Sequence, residues 1–207
     1  YGVRTESGCV VSLQLTDNSL KGEIPEEIIQ LTHLQSLVLQ LNSLSGEIPQ
    51  EIGNHLSSLR MLNLSNNQLT GKIPASLGNC PFLYTINLFG NNLSGEVPDI
   101  FNTLIIKEVM LGSNQLTGSL PKLGENVRSF RADGNQFSGS IPDSHINVLK
   151  YNEIYNISYN NLTGKVPQAM VTRDKFRIYW YDILPQNPGY GFEGEMELPA
   201  HTNTVKC

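Results

Sequence analysis

The sequence predicts a solenoid of stacked coils: an α/β repeat with a parallel concave β-sheet on one side and 3₁₀ or short-helix return segments on the convex side. Three observations predict it. An asparagine recurs at Asn18, Asn42, Asn67, Asn91, Asn114, Asn135 and Asn160, at intervals of 24, 25, 24, 23, 21 and 25 residues. A Gly-x-(Ile/Val/Leu)-Pro element follows each in step, from Gly22, Gly46, Gly71, Gly95, Gly118, Gly139 and Gly164 to the prolines at 25, 49, 74, 98, 121, 142 and 167. Upstream of each asparagine, apolar residues stand two apart, as Leu37 and Leu39 do before Asn42. Unrelated turns also use Asn, Gly and Pro, but they would not keep a common register.

Each part of the coil has a physical reason. In "LQSLVLQLN" Leu37 and Leu39 point to one side of a short strand, toward the core, and Leu34 turns in from the strand entrance. Ser36, Val38, Gln40 and Leu41 face the other way. After the strand the chain bends inward and leaves backbone groups away from water. A carboxamide, with two donors and an acceptor, bridges such groups within its own coil and the next. The glycine permits a backbone angle other residues resist, and the proline opens the return segment without needing a donor. In "IPEEIIQLTHL" Ile28, Leu31 and Leu34 recur at spacing three, which suits a 3₁₀ or helical return. No coil buries its leucines alone, so neighbours must stack. The 21–25-residue period falls in the window of leucine-rich repeats, whose strand reads LxxLxLxxN.

Composition narrows the function. The 207 residues carry a net charge of −5 with 14 Lys+Arg and no basic run, which argues against a nucleic-acid partner. No apolar stretch reaches the roughly 18–20 residues of a membrane span. The chain opens at Tyr1 without a leader, so any export signal is expected to have been removed or to lie outside this sequence, and both ends read as cut or processed. Cys9, Cys80 and Cys207 are far apart and lack the pairing of a zinc site. Their odd number suggests a buried free thiol or a partner lost by truncation, and Cys80, in the return segment "LGNCPFL", reads as a small buried apolar thiol.

Nothing in the sequence has the pattern of a catalytic, metal or cofactor site. His33, His55, His145 and His201 fall in no metal-binding spacing, and no GxSxG elbow occurs. Glu26 and Glu27 read as solvated charges on a return segment. Gly189-Tyr-Gly-Phe-Glu-Gly194 matches GxGxxG, but a nucleotide site would need a strand before it, a helix or paired strand after it and a downstream acid or lysine in register, and Lys206 lies only 17 residues beyond Gly189. No enzyme, cofactor or metal is predicted.

Recognition is therefore assigned to the outward strand positions. Val38, Met61, Phe89 and Met110 put apolar side chains where water should be, on successive coils, and a contiguous patch of that kind marks a contact surface. Gln40, Asn63, Thr85 and Asn87 lie among them, and Glu108, Arg131 and Asp133 add a charged flank. These eleven residues are the predicted concave ligand site. Four Asn-x-(Ser/Thr) sequons occur, at Asn63, Asn92, Asn156 and Asn161. Asn92 and Asn161 follow a ladder asparagine and are expected to point outward. A glycan on Asn63 would obstruct the proposed stripe.

With these residues in view, "LQSLVLQLNSLSGEIP", "LRMLNLSNNQLTGKIP" and "LYTINLFGNNLSGEVP" resemble the plant-specific class of extracellular leucine-rich repeats, LxxLxLxxNxLxGxIP. Such repeats form the ectodomains of plant receptor kinases and receptor-like proteins, and the polygalacturonase-inhibiting proteins. The resemblance implies a protein exported to the cell surface or apoplast that recognises a peptide, a hormone, a co-receptor ectodomain or a microbial protein. It implies a membrane-anchored parent chain, with any kinase outside this sequence, or, as the alternative, a freestanding defence protein that inhibits a secreted pathogen hydrolase.

"YGVRTESGCVVSLQL" is similar to the end of the family's N-terminal cap, with Thr5 where a cysteine is usual, so residues 1–9 are expected to be a cap remnant. Seven repeats are expected over 10–170. In the seventh, Asn152 stands where the first strand leucine belongs, with Tyr155 and Ile157 inward. Residues 171–207 are expected to form a degenerate coil, with Phe176, Tyr179 and Tyr181 inward, and an eroded cap or tail.

Overall fold

The computed structural model describes residues 2–102, 105–150, 154–167 and 183–193. Its main feature is an eight-stranded sheet. Val3–Glu6 pairs antiparallel with Cys9–Gln14. Parallel strands then follow in chain order: Ser36–Val38, Met61–Asn63, Thr85–Asn87, Glu108–Met110, Ser129–Arg131 and Ile154–Asn156. Coil stacks on coil without slippage, so that Leu37 pairs with Leu62, Leu62 with Ile86, Ile86 with Val109, Val109 with Phe130 and Phe130 with Tyr155. The fold is the predicted leucine-rich repeat solenoid.

Behind the sheet runs one continuous apolar core, from Ile24 through Leu37, Leu62, Ile86 and Phe130 to Ile183. The middle leucines are fully buried, whereas Val10, Leu13, Leu15 and Leu20 of the first coil are only partly covered. The hairpin Val3–Gln14 closes the sheet edge beside them, turning at Ser7 and Gly8, both with positive φ, and its own first strand is wholly exposed. On the convex side the return segments are the 3₁₀ helices Glu26–Gln30, Ala75–Asn79 and Asp143–Lys150 and the single α-helical turn Ile52–His55. Pro25 and Pro74 stand at the N-cap of the first two, extended and with no donor to satisfy.

The return segments of the second and third coils are knit together. Gly53 N–H donates to Ser76 Oγ at 3.1 Å, and Ser76 Oγ–H donates to Gln50 O at 2.6 Å. A Cβ on Gly53 would come within 1.9 Å of Ser76 O, so the backbones can approach this closely only because the residue is glycine. The Cys80 thiol is fully buried and unpaired, and faces Leu56 O at 3.5 Å, as the return-segment reading expects. Burial pushes it up to about 11.

A second set of strands was not foreseen. The Leu-x-Gly stretch after the asparagine reads from sequence as a bend, yet it forms short parallel ladders on the side of the coil. Lys21–Glu23 pairs with Ser43–Ser45, Ser94–Glu96 with Gln115–Thr117, and Ser138–Gly139 with Asn161–Gly164, which pairs in turn with Gly191–Phe192. Three-residue strands carry too little alternation to be seen in a sequence.

The asparagine ladder is present, with one correction. Asn91 Oδ1 accepts from Leu69 N at 3.0 Å in the coil before. Its Nδ2 donates back to Leu64 O at 3.0 Å and within its own coil to Leu88 O at 3.1 Å. Asn42, Asn67, Asn114, Asn135 and Asn160 repeat the arrangement, and Asn160 is completely buried. Asn18 does not. It is exposed and its side chain donates only to Thr16 O, because the first coil has no earlier repeat coil to bridge to.

Beyond the seventh coil Gln186 takes the ladder role. Its Oε1 accepts from Leu162 N at 3.1 Å, and its Nε2 donates to Ile157 O at 3.3 Å and to Ile183 O. Residues 183–193 therefore belong to a further coil, with Ile183 in the common core. The expectations for Asn152, Phe176, Tyr179, Tyr181 and Cys207 fall outside the described residues.

In the last coils Tyr155 takes the inward strand position of Leu37, and His145, three residues after Pro142, takes the return-segment position that Ile28, Ile52 and Leu77 hold in earlier coils. His145 is fully buried and stacks edge-on against Phe130, with ring centroids 5.0 Å apart. Its Nε2 lies 2.9 Å from Pro121 O, which can only accept, so Nε2 carries the proton and Nδ1 accepts from the Tyr155 hydroxyl at 3.0 Å. Burial holds the imidazole down to about 4, outweighing the upward pull of the Pro121 bond, and pushes the Tyr155 phenol up.

Candidate recognition surface on the concave sheet

The alternation of the strand places three outward residues in each coil, and stacking turns them into columns across the sheet. The structure divides the predicted stripe. Met61, Phe89 and Met110 are half-buried and present apolar surface to the concave side. Val38 does not: at 8% exposure it is buried, a short β-branched side chain in register between the longer Gln14 and Asn63. Thr85 is also buried, its hydroxyl donating to Glu108 Oε2 at 3.2 Å. Asp133, expected as an open charge, is buried against Arg131. The Thr85 bond crosses to the next coil and is a tertiary effect, invisible in a residue-by-residue reading, whereas Asp133 is held by Arg131 two residues away.

The remaining polar members hold one another in place. Asn63 Nδ2 donates to Gln40 Oε1 at 2.6 Å, while its Oδ1 accepts from Ser65 N and Ser65 Oγ. Asn87 Oδ1 accepts from Phe89 N at 3.1 Å, fixing the backbone from which the ring projects.

The fourth to sixth coils contain the most organised cluster. The Arg131 guanidinium grips Asp133 through Nε at 2.6 Å and Nη2 at 3.2 Å, a two-point, charge-assisted contact. Its face lies 4.4 Å from the centroid of the Phe89 ring, a cation–π contact spanning two coils. Gly112 in the intervening coil makes this possible. A Cβ there would stand 2.7 Å from Asp133 Oδ1 and 3.0 Å from the Phe89 ring. The sequence reading missed Gly112, although its glycine in a column otherwise filled by side chains was the available signal.

A row of unusual backbone borders this surface. The residue before each ladder asparagine adopts left-handed φ: Asp17, Leu41, Asn66, Gly90, Ser113, Gly134 and Tyr159. Gly accepts that conformation freely and Asn and Asp with a small penalty; Ser, Leu and Tyr do so less readily. Leu41 and Tyr159 are also half-exposed. Neither packing nor backbone preference explains either residue.

Of the sequon asparagines, Asn92 is exposed, and Asn161 is half-buried and accepts from Asn187 Nδ2 at 2.7 Å. The carboxamides of Asn63 and Asn156 are tied to their own sequon serines. Among the described residues there is no group of His, Cys, Asp or Glu able to hold a metal ion, and no helix long and apolar enough to cross a membrane. GxGxxG residues 189–193 form a turn and the short strand Gly191–Phe192 rather than the start of a helix.

The fold and this surface define a plant-type leucine-rich repeat module with a side-chain-rich inner sheet. The leucine rich repeat family profile matches residues 32–93. Among solved structures, the chain is similar to the Arabidopsis receptor kinase HAESA in complex with the peptide hormone IDA and the co-receptor SERK1. Identity is 37%, with 82% of this chain and 28% of that chain covered and a TM-score of 0.74. It is similar to the plant peptide hormone receptor RGFR1 in complex with RGF2, at 33% identity over 74% of this chain and 25% of that one, with a TM-score of 0.69. It is also similar to a chain of the BIR3–SERK2 complex from Arabidopsis thaliana, at 34% identity over 78% of this chain and 75% of that one, with a TM-score of 0.54. The chain belongs to the plant leucine-rich repeat family that includes these receptor ectodomains. It spans about a quarter of the length of the HAESA and RGFR1 chains. No curated protein sequence matches it.

Proposed function

We propose that this chain is the recognition part of a plant leucine-rich repeat receptor. It works outside the cell, has no catalysis of its own, and binds a peptide or protein ligand, with a co-receptor ectodomain as a further partner. The observation that carries the reading is the Phe89–Arg131–Asp133 cluster, assembled on the concave sheet from coils four and six. Supporting it, HAESA is described in complex with a peptide hormone and a co-receptor, and RGFR1 as a plant peptide hormone receptor in complex with RGF2. Preorganised aromatic and Arg side chains on a rigid sheet are the kind of residues that dominate binding energy, because little ordering entropy remains to be lost on contact.

Met61, Phe89 and Met110 supply the apolar contact. Gln40, Asn63, Asn87, Glu108 and Arg131 supply the polar surround, and Val38, Thr85 and Asp133 support them from below. Asn92, exposed and outside the eleven residues of this surface, is the sequon best placed for a glycan.

Selection of a phage-displayed random dodecapeptide library on the 207-residue chain tests the placement. The reading expects peptides that bind the chain and are lost on a Phe89→Ser, Met110→Ser double variant with an unchanged melting curve. Peptides that bind both equally would move the site off this surface.

A further inference from the structure

We infer that Asp133 sets the charge class of the ligand: the contact at coils four to six is with an uncharged, apolar-bearing peptide segment, and Asp133 excludes acidic ones. This deepens the concave-site reading above and rests on it.

An arginine on a binding sheet ordinarily receives an anion, by its in-plane donors or by its long-range charge. In Arg131 two of the five N–H donors are taken and the charge is neutralised by Asp133. Asp133 takes Nε and Nη2 in plane, and Phe89 covers a face at 4.4 Å. The pair is asymmetric in exposure: the Arg131 side chain is 40% exposed and the Asp133 side chain 13%. A carboxylate so covered is held by its partner, and a ligand carboxylate drawn to the remaining Arg131 donors would have to stand beside the Asp133 charge, where water screens the repulsion poorly. Gly112 locks the arrangement, since it leaves no room between the Phe89 ring and Asp133 Oδ1 for a second anionic group.

Glu108 strengthens the discrimination. It lies on the neighbouring coil, in register with Ser129, and its carboxylate accepts from the Thr85 hydroxyl rather than from a cation. The charged side chains of the inner columns in these coils are thus Glu108, Arg131 and Asp133, which sum to −1 (one Arg against one Asp and one Glu). The cations Arg60, Lys107 and Arg128 stand at the strand entrances, about 10 Å along the strand from the level of Arg131, near the distance at which salt screens exposed charges. What the cluster offers is an aromatic ring, a thioether at Met110 and guanidinium N–H able to meet a neutral carbonyl.

The test uses the peptides recovered from the dodecapeptide selection, followed by single Ala→Glu and Ala→Lys replacements in the best Phe89-dependent binder. Uncharged sequences are expected on the unmodified chain, with a Glu replacement weakening binding about tenfold or more and a Lys replacement much less. In Asp133→Asn, which keeps an acceptor for Arg131 but removes the charge, the penalty for Glu should shrink to about threefold or less. Acid-rich peptides selected by the unmodified chain and lost in Arg131→Gln would overturn the inference while leaving the concave site standing. An undiminished Glu penalty in Asp133→Asn would also overturn it. Recovery of no Phe89-dependent peptide would sink the concave-site reading itself, and this inference with it.

Discussion

Phe89 and Arg131 belong to coils four and six, yet the ring and the guanidinium lie 4.4 Å apart because coil five offers Gly112 between them. Contact therefore depends on three coils at once. Gly112→Ala should push the Asp133 carboxylate and the Phe89 ring apart and weaken Phe89-dependent peptide binding several-fold, with the fold intact. A double-mutant cycle of Phe89→Leu with Arg131→Gln should return a coupling of about 0.5–2 kcal/mol in urea melts. Strictly additive effects would show that the two side chains do not cooperate in solution.

The ladder makes a graded prediction. Asn91→Ala leaves Leu69 N without its partner and removes one of two donors from Leu64 O and from Leu88 O, which keep Asn67 and Asn114, and should destabilise by about 1–3 kcal/mol. Asn18→Ala removes only an exposed bond to Thr16 and should cost less than about 0.5 kcal/mol. Gln186→Ala should raise hydrogen exchange at the Leu162 amide without touching the middle coils. Equal losses at positions 18 and 91 would contradict the view that each rung works by bridging to the coil before it.

His145 makes stability depend on pH. Its folded-state value, about 4, lies below the ordinary 6.5, so the unfolded chain binds the proton more readily. The stabilisation is complete above about pH 6.5 and is lost progressively as pH falls toward 4, amounting to about 3 kcal/mol across the window. Urea midpoints measured from pH 7 to pH 4 should show this slope in the native chain. They should show a shallower one in His145→Gln, whatever that variant's stability at pH 7.

Leu41 is half-exposed and left-handed, with φ of 58°. Leu41→Asn keeps the backbone donor to Ser65 O and relieves the conformation, and should stabilise the chain by about 0.5–1 kcal/mol. If peptide binding falls at the same time, Leu41 is part of the contact surface. A thermal melt that moves down would show that its side chain packs more than its exposure suggests.

Much of this molecule was legible before any coordinates. Leu37, Leu39 and Asn42 announce their roles because alternation along a strand and the carboxamide's donors are local properties, and repetition multiplies a weak local signal. Cys80 was readable for the same reason. Gln186 was not: one methylene longer and 26 residues after Asn160, it breaks both the residue type and the period that made the others visible. His145 reads from sequence only against metal-binding spacings, since an imidazole at the return-segment position of Ile28, Ile52 and Leu77 carries no local sign that it will be buried as they are. Val38, Thr85 and Asp133 shared the outward phase of Met61 and Phe89, and phase alone does not measure how far neighbours on adjacent coils rise above a side chain.

By itself, then, the chain's periodic spacing determined the coil, the inner sheet and which side chains turn inward, because a two-residue strand alternation and a recurring backbone gap leave few other ways to bury leucine and satisfy amides. Which outward residues meet one another was decided only by stacking. Phe89 reaches Arg131, and Thr85 reaches Glu108, through distances between coils that are more than twenty residues apart in sequence, and such distances exist only once the coils have been laid side by side.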